Sequence, residues 1–379
     1  MSDVGSKDAA RTGATGGADR SAQRSFAAAE SSVAGTSSAS TIGELGEFPL
    51  IELLTARTGA SRGDTVVGAG LDDTAVTRLS DGRLQLATID TLVAGTHFLL
   101  DRFTPEQVGR KAAAINLSDI AAMGGSATHA LAAMAAPPDL QTGVALGIVE
   151  GLVAELAAWG AELVGGNLAR HDGLVVDVAL LGETDDRRLL LRSGARPGDA
   201  LAVTGDLGAA AAGLVLLLAE RGPRDRAAEI ADDDRAAVVS RQRTPRPRLD
   251  VAPLLGPAGA SAAIDVSDGL AADAGHICDR SGVGVAIDVG RLPVAESTRA
   301  VAAALGLDAT ELALGGGEDY ELLFAAAPER LAELIARVEG ATGVPVTVIG
   351  RVTAEPERVA VLPDGSEHEL AGGWRHFGD

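Results

Sequence analysis

Apolar positions alternate along this chain, from about Thr41 onward, between short β-branched runs and longer segments with helical spacing. Runs rich in Val, Ile and Thr are typical of strands, and the first half contains TVVGAG, TAVTRL, LQLATIDTLV and LVVDVALLGE. The segment TPEQVGRKAAAINLSDIAAMGG predicts a helix with Thr104 as N-cap, Gln107 completing a capping box and Pro105 in the first turn. A second helix is predicted from about Val144 to Trp159.

The second half repeats this alternation after GETDDRRLLLRSGARPGD, a cluster of turn residues that predicts a domain boundary. Helices are predicted over 208–221, 269–280, 296–305 and 328–340, and an acidic, arginine-rich connector is predicted through PRPR. The predicted strands are ALAVTG, SAAIDVSDG, VGVAIDV, YELLFAA and VPVTVIGRV. We therefore expect an α/β (α+β) protein with domains 41–184 and 185–379. Residues 1–40 are small, polar and patternless, which predicts a disordered tail.

Composition excludes several classes of function. The single cysteine, Cys278, rules out an intramolecular disulfide and a cysteine-based metal cage. A net charge of −21 disfavours nucleic acids and anionic membranes as partners. Lys7 and Lys111 are the only lysines, and their contexts match neither a P-loop nor the protein-kinase strand lysine. The tail has no apolar signal segment and no uncharged run of about 18 apolar residues exists, so a cytoplasmic protein without a membrane span is expected.

Acidic side chains recur beside predicted strands and apolar runs in five short segments. They are Asp72 and Asp73 in AGLDDTAV, Asp90 in ATIDTLVAGTHF, Asn116 and Asp119 in NLSDIAAMGG, Asp265 and Asp268 in AIDVSDGLAAD, and Glu318 and Asp319 in LGGGEDYELLF. One strand is expected to end at Thr88–Asp90, and Ser267 is expected to cap the helix that follows it. Taken alone, each of these motifs is better explained by turn or capping chemistry than by a functional site.

Asp119 is harder to explain as a structural residue. It lies among Ile115, Leu117 and Ile120 in a run with the pattern of a buried helix face, where an unpaired charge costs several kcal/mol. Lys111 is two turns away and out of phase, so a cation from outside the chain is the better candidate partner. Mg²⁺ prefers carboxylate and phosphate oxygens, and several such ions would also allow an anionic substrate to bind an acidic protein.

Six motifs, taken in order, resemble the thiamine-monophosphate kinases of the aminoimidazole-ribonucleotide-synthetase-like ATP-binding superfamily. They are DDTAV, TIDTLVAGTHF, RKAAAINLSDIAAMGG, VTGDLG, AIDVSDGLAADAGHI and GGGEDYELLF. The resemblance extends from about residue 41 to the C-terminus. It implies the two-domain fold of that superfamily, with an N-terminal sheet domain that forms a homodimer and a C-terminal α/β domain. It also implies Mg²⁺-dependent phosphoryl transfer from ATP to thiamine monophosphate.

The resemblance further implies roles for individual residues. The family's magnesium ligands correspond to Asp72, Thr88, the Ile89 main chain, Asp90, Asp119, Asn167, Asp265 and Asp268. Its ATP contacts correspond to Gly166, Asn167, Arg192 and Ser267, and its thiamine-phosphate contacts to His97, Glu318 and Trp374. No side chain is expected to act as nucleophile or base, because a phosphate monoester with a second pKa of about 6 is already mostly anionic at neutral pH.

Two departures from the family pattern affect these roles. Leu71 interrupts the usual Gly-Asp-Asp, and Asn167 stands where the family often has an aspartate, so the ion there should bind more weakly. Trp374 either stacks on the thiamine rings or anchors the C-terminus, and His97 is either a substrate contact or a structural histidine. Aminoimidazole-ribonucleotide synthetase is the nearest alternative enzyme, and a metal-stabilised binding protein without turnover is the alternative from another class.

Overall fold

The structure is a computed structural model that describes residues 41–219 and 230–374. The predicted disordered tail, residues 1–40, lies outside the described residues. Residues 41–59 belong to one compact unit and contain helices α1 (Ile42–Leu45) and α2 (Glu47–Thr55). The described residues from Ala60 onward belong to a second unit, which contains both β-sheets. Within the described ranges, no helix has the length and apolar character needed to cross a membrane.

A six-stranded sheet is built from the first half of this larger unit, in the strand order β1-β2-β3-β6-β4-β5. Its strands are β1 (Thr65–Val67), β2 (Ala75–Arg78), β3 (Leu84–Val93), β4 (Ser126–Ala136), β5 (Glu162–Arg170) and β6 (Val175–Thr184). The pairing is antiparallel except between β4 and β5. The expectation that a strand ends at Thr88–Asp90 was wrong, because these residues lie inside β3.

The helix α3 (Pro105–Ala122) covers one face of this sheet. Its predicted start is confirmed, since Thr104 and Gln107 form a reciprocal capping box and Pro105 occupies the first turn. Leu117 and Ile120 are fully buried against the sheet. Because α3 is enclosed along most of its length, a polar side chain on it must find partners inside the protein. The second helix of this half, α4 (Thr142–Ala158), packs beside α3.

A seven-stranded sheet is built from the second half, in the order β13-β12-β9-β11-β7-β10-β8. Its strands are β7 (Ala200–Thr204), β8 (Ala260–Asp265), β9 (Gly284–Asp288), β10 (Leu322–Ala326), β11 (Val346–Thr353), β12 (Arg358–Val361) and β13 (Glu367–Glu369). The helices are α5 (Ala209–Ala219), α6 (Asp232–Arg243), α7 (Ala252–Ala258), α8 (Leu270–Ser281), α9 (Glu296–Leu305), α10 (Ala309–Gly315) and α11 (Pro328–Thr342). The boundary between domains at residue 184 stays a prediction.

The connector predicted through PRPR is helical over Asp232–Arg243, so that part of the expectation was wrong. This helix, α6, buries only Val238 and Gln242, which leaves little apolar periodicity for a sequence pattern to detect. Acidic residues in its first turn and basic residues in its last turn complement the helix dipole. Its last turn matters for the site, because it carries Arg241 and Gln242 to the loop before β10.

The face of the six-stranded sheet opposite α3 carries a partly exposed apolar row. Strand register places Ile89 beside Ala179, and Ala179 beside Leu131, in one row across β3, β6 and β4. Ile89 is 65% exposed and Leu131 is 50% exposed. Exposed apolar rows of this kind are typical of surfaces that bind a protein partner.

Candidate active site

Three carboxylates from distant parts of the chain converge between the two sheets. Asp73, Asp119 and Asp265 each place one carboxylate oxygen within 4.8 Å of the others. Asp73 lies in the turn before β2, Asp119 lies near the end of α3, and Asp265 ends β8. The first two come from the first half of the chain and the third comes from the second half. Asp119 and Asp265 are among the ligands that the resemblance implies, but that set contains Asp72, whereas the structure brings Asp73 into this cluster.

Two hydroxyl groups orient the cluster. The Thr88 Oγ1 hydroxyl donates to Asp119 Oδ2 at 2.5 Å, and the Ser118 hydroxyl donates to Asp265 Oδ2 at 2.6 Å. Because Ser118 and Asp119 are neighbours on α3, this one helix turn ties the end of β8 to the first sheet. Ser118 was not selected from the sequence, although a small polar residue beside Asp119 in an apolar run was a usable signal.

Arg192 connects to the turn that carries Asp72 and Asp73. Its main-chain N–H donates to Asp72 Oδ2 at 3.0 Å, while its guanidinium Nε donates to Asp73 Oδ1 at 3.1 Å. Asp73 Oδ2 is buried and accepts no hydrogen bond from the described residues. A buried carboxylate oxygen in this condition fits a metal ligand, because such oxygens are otherwise hydrogen-bonded.

The electrostatic environment penalises ionisation of these groups. Burial, followed by the charge of Asp73, raises the pKa of Asp265 to about 8 and that of Asp72 to about 7. Burial and the charge of Asp90 raise the pKa of Asp119 well above its ordinary value. A divalent cation would offset both the burial and the repulsion, and oxygen donors alone are the set that Mg²⁺ prefers. The residues present therefore fit a magnesium site.

A second group of polar residues lies in the loop before α8 and in the first turns of that helix. The expectation that Ser267 caps this helix was wrong, because the N-cap is Gly269. Instead, the buried Asp273 carboxylate accepts the main-chain N–H groups of Ser267, Asp268 and Gly269 at 3.1 to 3.2 Å. Asp268, Asp273 and His276 also place one ligand atom each within 4.8 Å of the others. The loop with Ser267 and Asp268 is therefore held by a side chain from inside the helix.

His97, Glu318 and Trp374, which the resemblance assigns to thiamine-phosphate binding, are connected to this region by hydrogen bonds or through Lys111. The Glu318 N–H donates to Ser267 O at 2.8 Å, and the Trp374 N–H donates to Asp268 O at 2.9 Å. Lys111 Nζ lies 2.6 Å from Glu318 Oε1 and donates to the main-chain oxygen of His97 at 3.1 Å. Trp374 is 53% exposed, so a planar ligand can reach this residue.

Asp319, next to Glu318, is a capping residue, the structural role that could have explained each of the other aspartates. Its buried carboxylate accepts the main-chain N–H of Gly208 at 2.7 Å and that of Ala210 at 3.4 Å, at the start of α5. Capping across so large a sequence separation has no local signal. Sequence spacing alone could not distinguish Asp319 from the cluster aspartates.

Gly166 and Asn167 are not brought to the carboxylate cluster within one chain. Asn167 on β5 pairs with Ala133, and Ala133 pairs with Asp177, on the sheet face opposite α3. Thr88 points to the α3 face, and β3 and β5 are three strand spacings apart, about 14 Å. Gly166 lies against β4 so closely that a Cβ there would be 1.8 Å from Ala132 O. The roles of both residues stay predictions.

Comparisons with known proteins agree with this architecture. The family described as AIR synthase related protein matches with its N-terminal domain over residues 71–184 and its C-terminal domain over residues 196–362. Thiamine-monophosphate kinase of Mycobacterium tuberculosis is 37% identical over 340 residues, covering 89% of this chain and 94% of that protein. The chain belongs to the thiamine-monophosphate kinase family. The Aquifex aeolicus thiamine-monophosphate kinase is also 37% identical, over 88% of this chain and 99% of that protein.

A solved structure supports the same relationship for the fold. The structure described as AaThiL complexed with AMPPCP and TMP has a TM-score of 0.77 and 35% identity, and the match covers 90% of this chain and all of that one. The predicted two-domain fold of the thiamine-monophosphate kinase family is thereby confirmed.

The raised pKa values give a prediction for the metal-free protein. A carboxyl group whose pKa rises on folding from 3.8 to about 8 stabilises the fold at low pH, and that contribution is lost as pH rises through the folded value. Thermal stability in a chelator should therefore fall between about pH 5 and pH 8, and Mg²⁺ should restore more stability at pH 8 than at pH 5. Thermal unfolding scans across this range measure both effects.

Asp265→Asn serves as the matched variant in these scans, because it removes one titrating carboxyl group while leaving an oxygen acceptor for Ser118. It should flatten the fall in stability with pH and weaken the stabilisation by Mg²⁺. A wild-type protein stabilised equally by Mg²⁺ at both ends of the range would contradict this interpretation of the cluster.

Proposed function

We propose that this chain is a Mg²⁺-dependent thiamine-monophosphate kinase, which transfers the γ-phosphoryl group of ATP to thiamine monophosphate and yields thiamine diphosphate and ADP. The observation that carries the proposal is the convergence of Asp73, Asp119 and Asp265 from both halves of the chain. Membership of the family supports the choice of acceptor. The similar solved structure is described as a complex with AMPPCP, which is an ATP analogue, and with TMP, an abbreviation that agrees with thiamine monophosphate as the proposed acceptor.

Magnesium would be held by the cluster carboxylates. Asp72, which neighbours Asp73, and Asp90, whose charge acts on Asp119 and Asp265, are candidates for further ligands, as is Asp268 in the loop before α8. The ions would neutralise the phosphates and help to stabilise the charge of the transition state. Arg192, anchored through its main chain to Asp72, is the candidate cationic side chain for a phosphate group. Ser267 offers a hydroxyl at the start of α8, in the loop held by Asp273.

The reaction requires positioning more than proton transfer. An oxygen of the acceptor phosphate bonds to the γ-phosphorus as the bond to the bridging oxygen of ADP breaks. That acceptor oxygen is already mostly anionic at neutral pH, since the second pKa of a phosphate monoester is about 6. We therefore assign no side chain as a general base. The protein's task is to hold two anionic groups in line within a site that contains enough positive charge.

The organic end of the acceptor is assigned to the region of His97, Glu318 and Trp374. Trp374 presents an exposed indole, and a thiazolium cation is attracted to such an electron-rich face. The main-chain N–H of Trp374 donates to the main-chain oxygen of Asp268, so Trp374 lies beside a proposed metal ligand. We also propose a cytoplasmic location, where ATP and Mg²⁺ are both plentiful.

Enzymatic conversion provides the direct test of this function. With ATP and Mg²⁺, the protein should convert thiamine monophosphate to thiamine diphosphate with one ADP formed per product, measured by chromatography. Asp119→Asn should lower turnover by more than about tenfold, because even the outer-shell partners of metal ligands contribute factors of 10–100. Its unfolding temperature should not fall, because the change removes a buried charge that repels its neighbours.

Asp186→Asn is the control for that substitution, since Asp186 is 68% exposed and only pairs with Arg78 on the surface. It should leave turnover unchanged. ADP formation without thiamine diphosphate would reject the proposed acceptor. Full activity of Asp119→Asn would reject the proposed role of the cluster.

A homodimer formed through the open face of the six-stranded sheet is the second part of the proposal. The row of Ile89, Ala179 and Leu131 presents apolar side chains from three adjacent strands. Two such faces can pack against each other with their side chains interdigitated, as in other sheet-on-sheet interfaces. Because the row is apolar, it needs an apolar rather than a basic partner surface. A second copy of the chain supplies such a surface, since it carries the same row.

Leu131→Asp should convert the dimer to a monomer, because it places a charge within the apolar row. Sedimentation or light scattering measures the change in mass. Leu146→Asp is the control, because Leu146 is similarly exposed, at 58%, but lies on α4. A dimer that survives Leu131→Asp and dissociates with Leu146→Asp would place the interface on the helix instead.

A further inference from the structure

Lys111 lies outside the set of site residues that the motifs select, yet it contacts two of the proposed acceptor segments. We propose that Lys111 is a positioning residue for the phosphate acceptor, which holds the Glu318 carboxylate and the His97 loop in the arrangement that receives the acceptor's organic end. This inference rests on the proposed function. The set of contacts made by Lys111 Nζ, to Glu318 and to the His97 main chain, is called the Lys111 bridge below.

The burial of Lys111 is the first observation. Its side chain is 0% exposed, whereas that of Glu318 is 25% exposed, so the pair has a closed end and an open end. Lysine is seldom fully buried unless it is paired, because its charge loses hydration. The open end of the pair is the carboxylate, which is the group that a ligand can reach.

The Glu318 carboxylate is held from both sides. Oε1 lies 2.6 Å from Lys111 Nζ, and Oε2 accepts a hydrogen bond from Gln242 Nε2 at 2.6 Å. Gln242 is buried in the last turn of α6. With one partner on each oxygen, the carboxylate has a fixed orientation, and the lysine balances its charge. Thiamine monophosphate would therefore meet a carboxylate that is already fixed in position to accept a hydrogen bond, rather than a mobile one.

The backbone around Glu318 is also constrained. Glu318 has φ of 67° and Tyr320 has φ of 52°, a region that non-glycine residues rarely occupy. Between them, Asp319 is anchored to the start of α5. Glu321, directly after Tyr320, is fully buried and pairs with Arg241 and Arg248. Such backbone conformations persist where surrounding contacts hold them, and they concentrate at functional sites.

The position of Lys111 on α3 adds a geometric argument. Asp119 is eight residues further along the same helix, which corresponds to about 12 Å at 1.5 Å per residue. One end of this rigid segment therefore sets the metal cluster and the other sets the Glu318 carboxylate. The separation suits an acceptor that places its phosphate at the metals and its organic end at the Lys111 bridge.

A kinetic double-mutant cycle tests this role, using Lys111→Met, Glu318→Gln and the combination. Lys111→Met should raise the KM for thiamine monophosphate about tenfold, the loss expected for a hydrogen bond to a charged group. The kcat should change little and the KM for ATP should not change. If Lys111 acts through Glu318, the double variant should be no worse than the more impaired single variant.

Arg110→Met is the matched control, because Arg110 is the adjacent residue on α3 but pairs with Glu155 at 2.9 Å and is 42% exposed. It should leave both KM values unchanged. A Lys111→Met protein with a lower unfolding temperature but an unchanged KM for the acceptor would overturn the proposal, as would effects on that KM that simply add. If Lys111→Met does not fold, Gln242→Leu probes the same carboxylate through its other oxygen, and an unchanged acceptor KM there would also overturn it.

The wild-type measurement separates the two levels of inference. A wild-type protein that does not phosphorylate thiamine monophosphate rejects the proposed function, and the Lys111 bridge is rejected with it. An active wild type with an additive cycle rejects the bridge alone.

Discussion

Mutual repulsion among buried carboxylates is the constraint on which the rest of this structure depends. Asp73 and Asp265 are almost fully enclosed, and together with Asp119 they bring three acidic groups within one small volume. Folding alone gives little reason for such an arrangement, because each charge raises the cost of ionising the next. The arrangement would become favourable with divalent cations bound, and under the proposed function the same cations would allow an acidic protein to accept ATP and a phosphate ester.

The helix α3 turns this local constraint into a site with two ends. Through Ser118 and Asp119 it joins the end of β8 to the first sheet, and through Lys111 it reaches Glu318 and the His97 loop. Its capping box and nearly complete enclosure by the first sheet and α4 make it a rigid support. The proposed metal-binding end and the proposed acceptor-binding end would thus be set by the same element, as an in-line transfer between two anionic groups requires.

Much of this organisation could be predicted from local patterns, and the failures have a physical cause. The start of α3 and the extent of α9 follow from capping chemistry and apolar spacing, which are local. The helix α6 was missed because it buries only two residues, and β5 was missed because nearly all its residues are exposed. At the site, Asp73 was passed over for Asp72, and Asp319 resembled the cluster aspartates. Partners 111 or more residues away decide these roles, and no local spacing encodes them.

The most direct test is diffraction from crystals grown with Mn²⁺ and AMPPCP, collected so that the metal's anomalous signal locates each ion. At least one manganese ion should be bound by oxygens of Asp73, Asp119 and Asp265 together with phosphate oxygens of the nucleotide. Nucleotide bound without any anomalous peak among these carboxylates, and with Asp73 still paired only to Arg192, would contradict it.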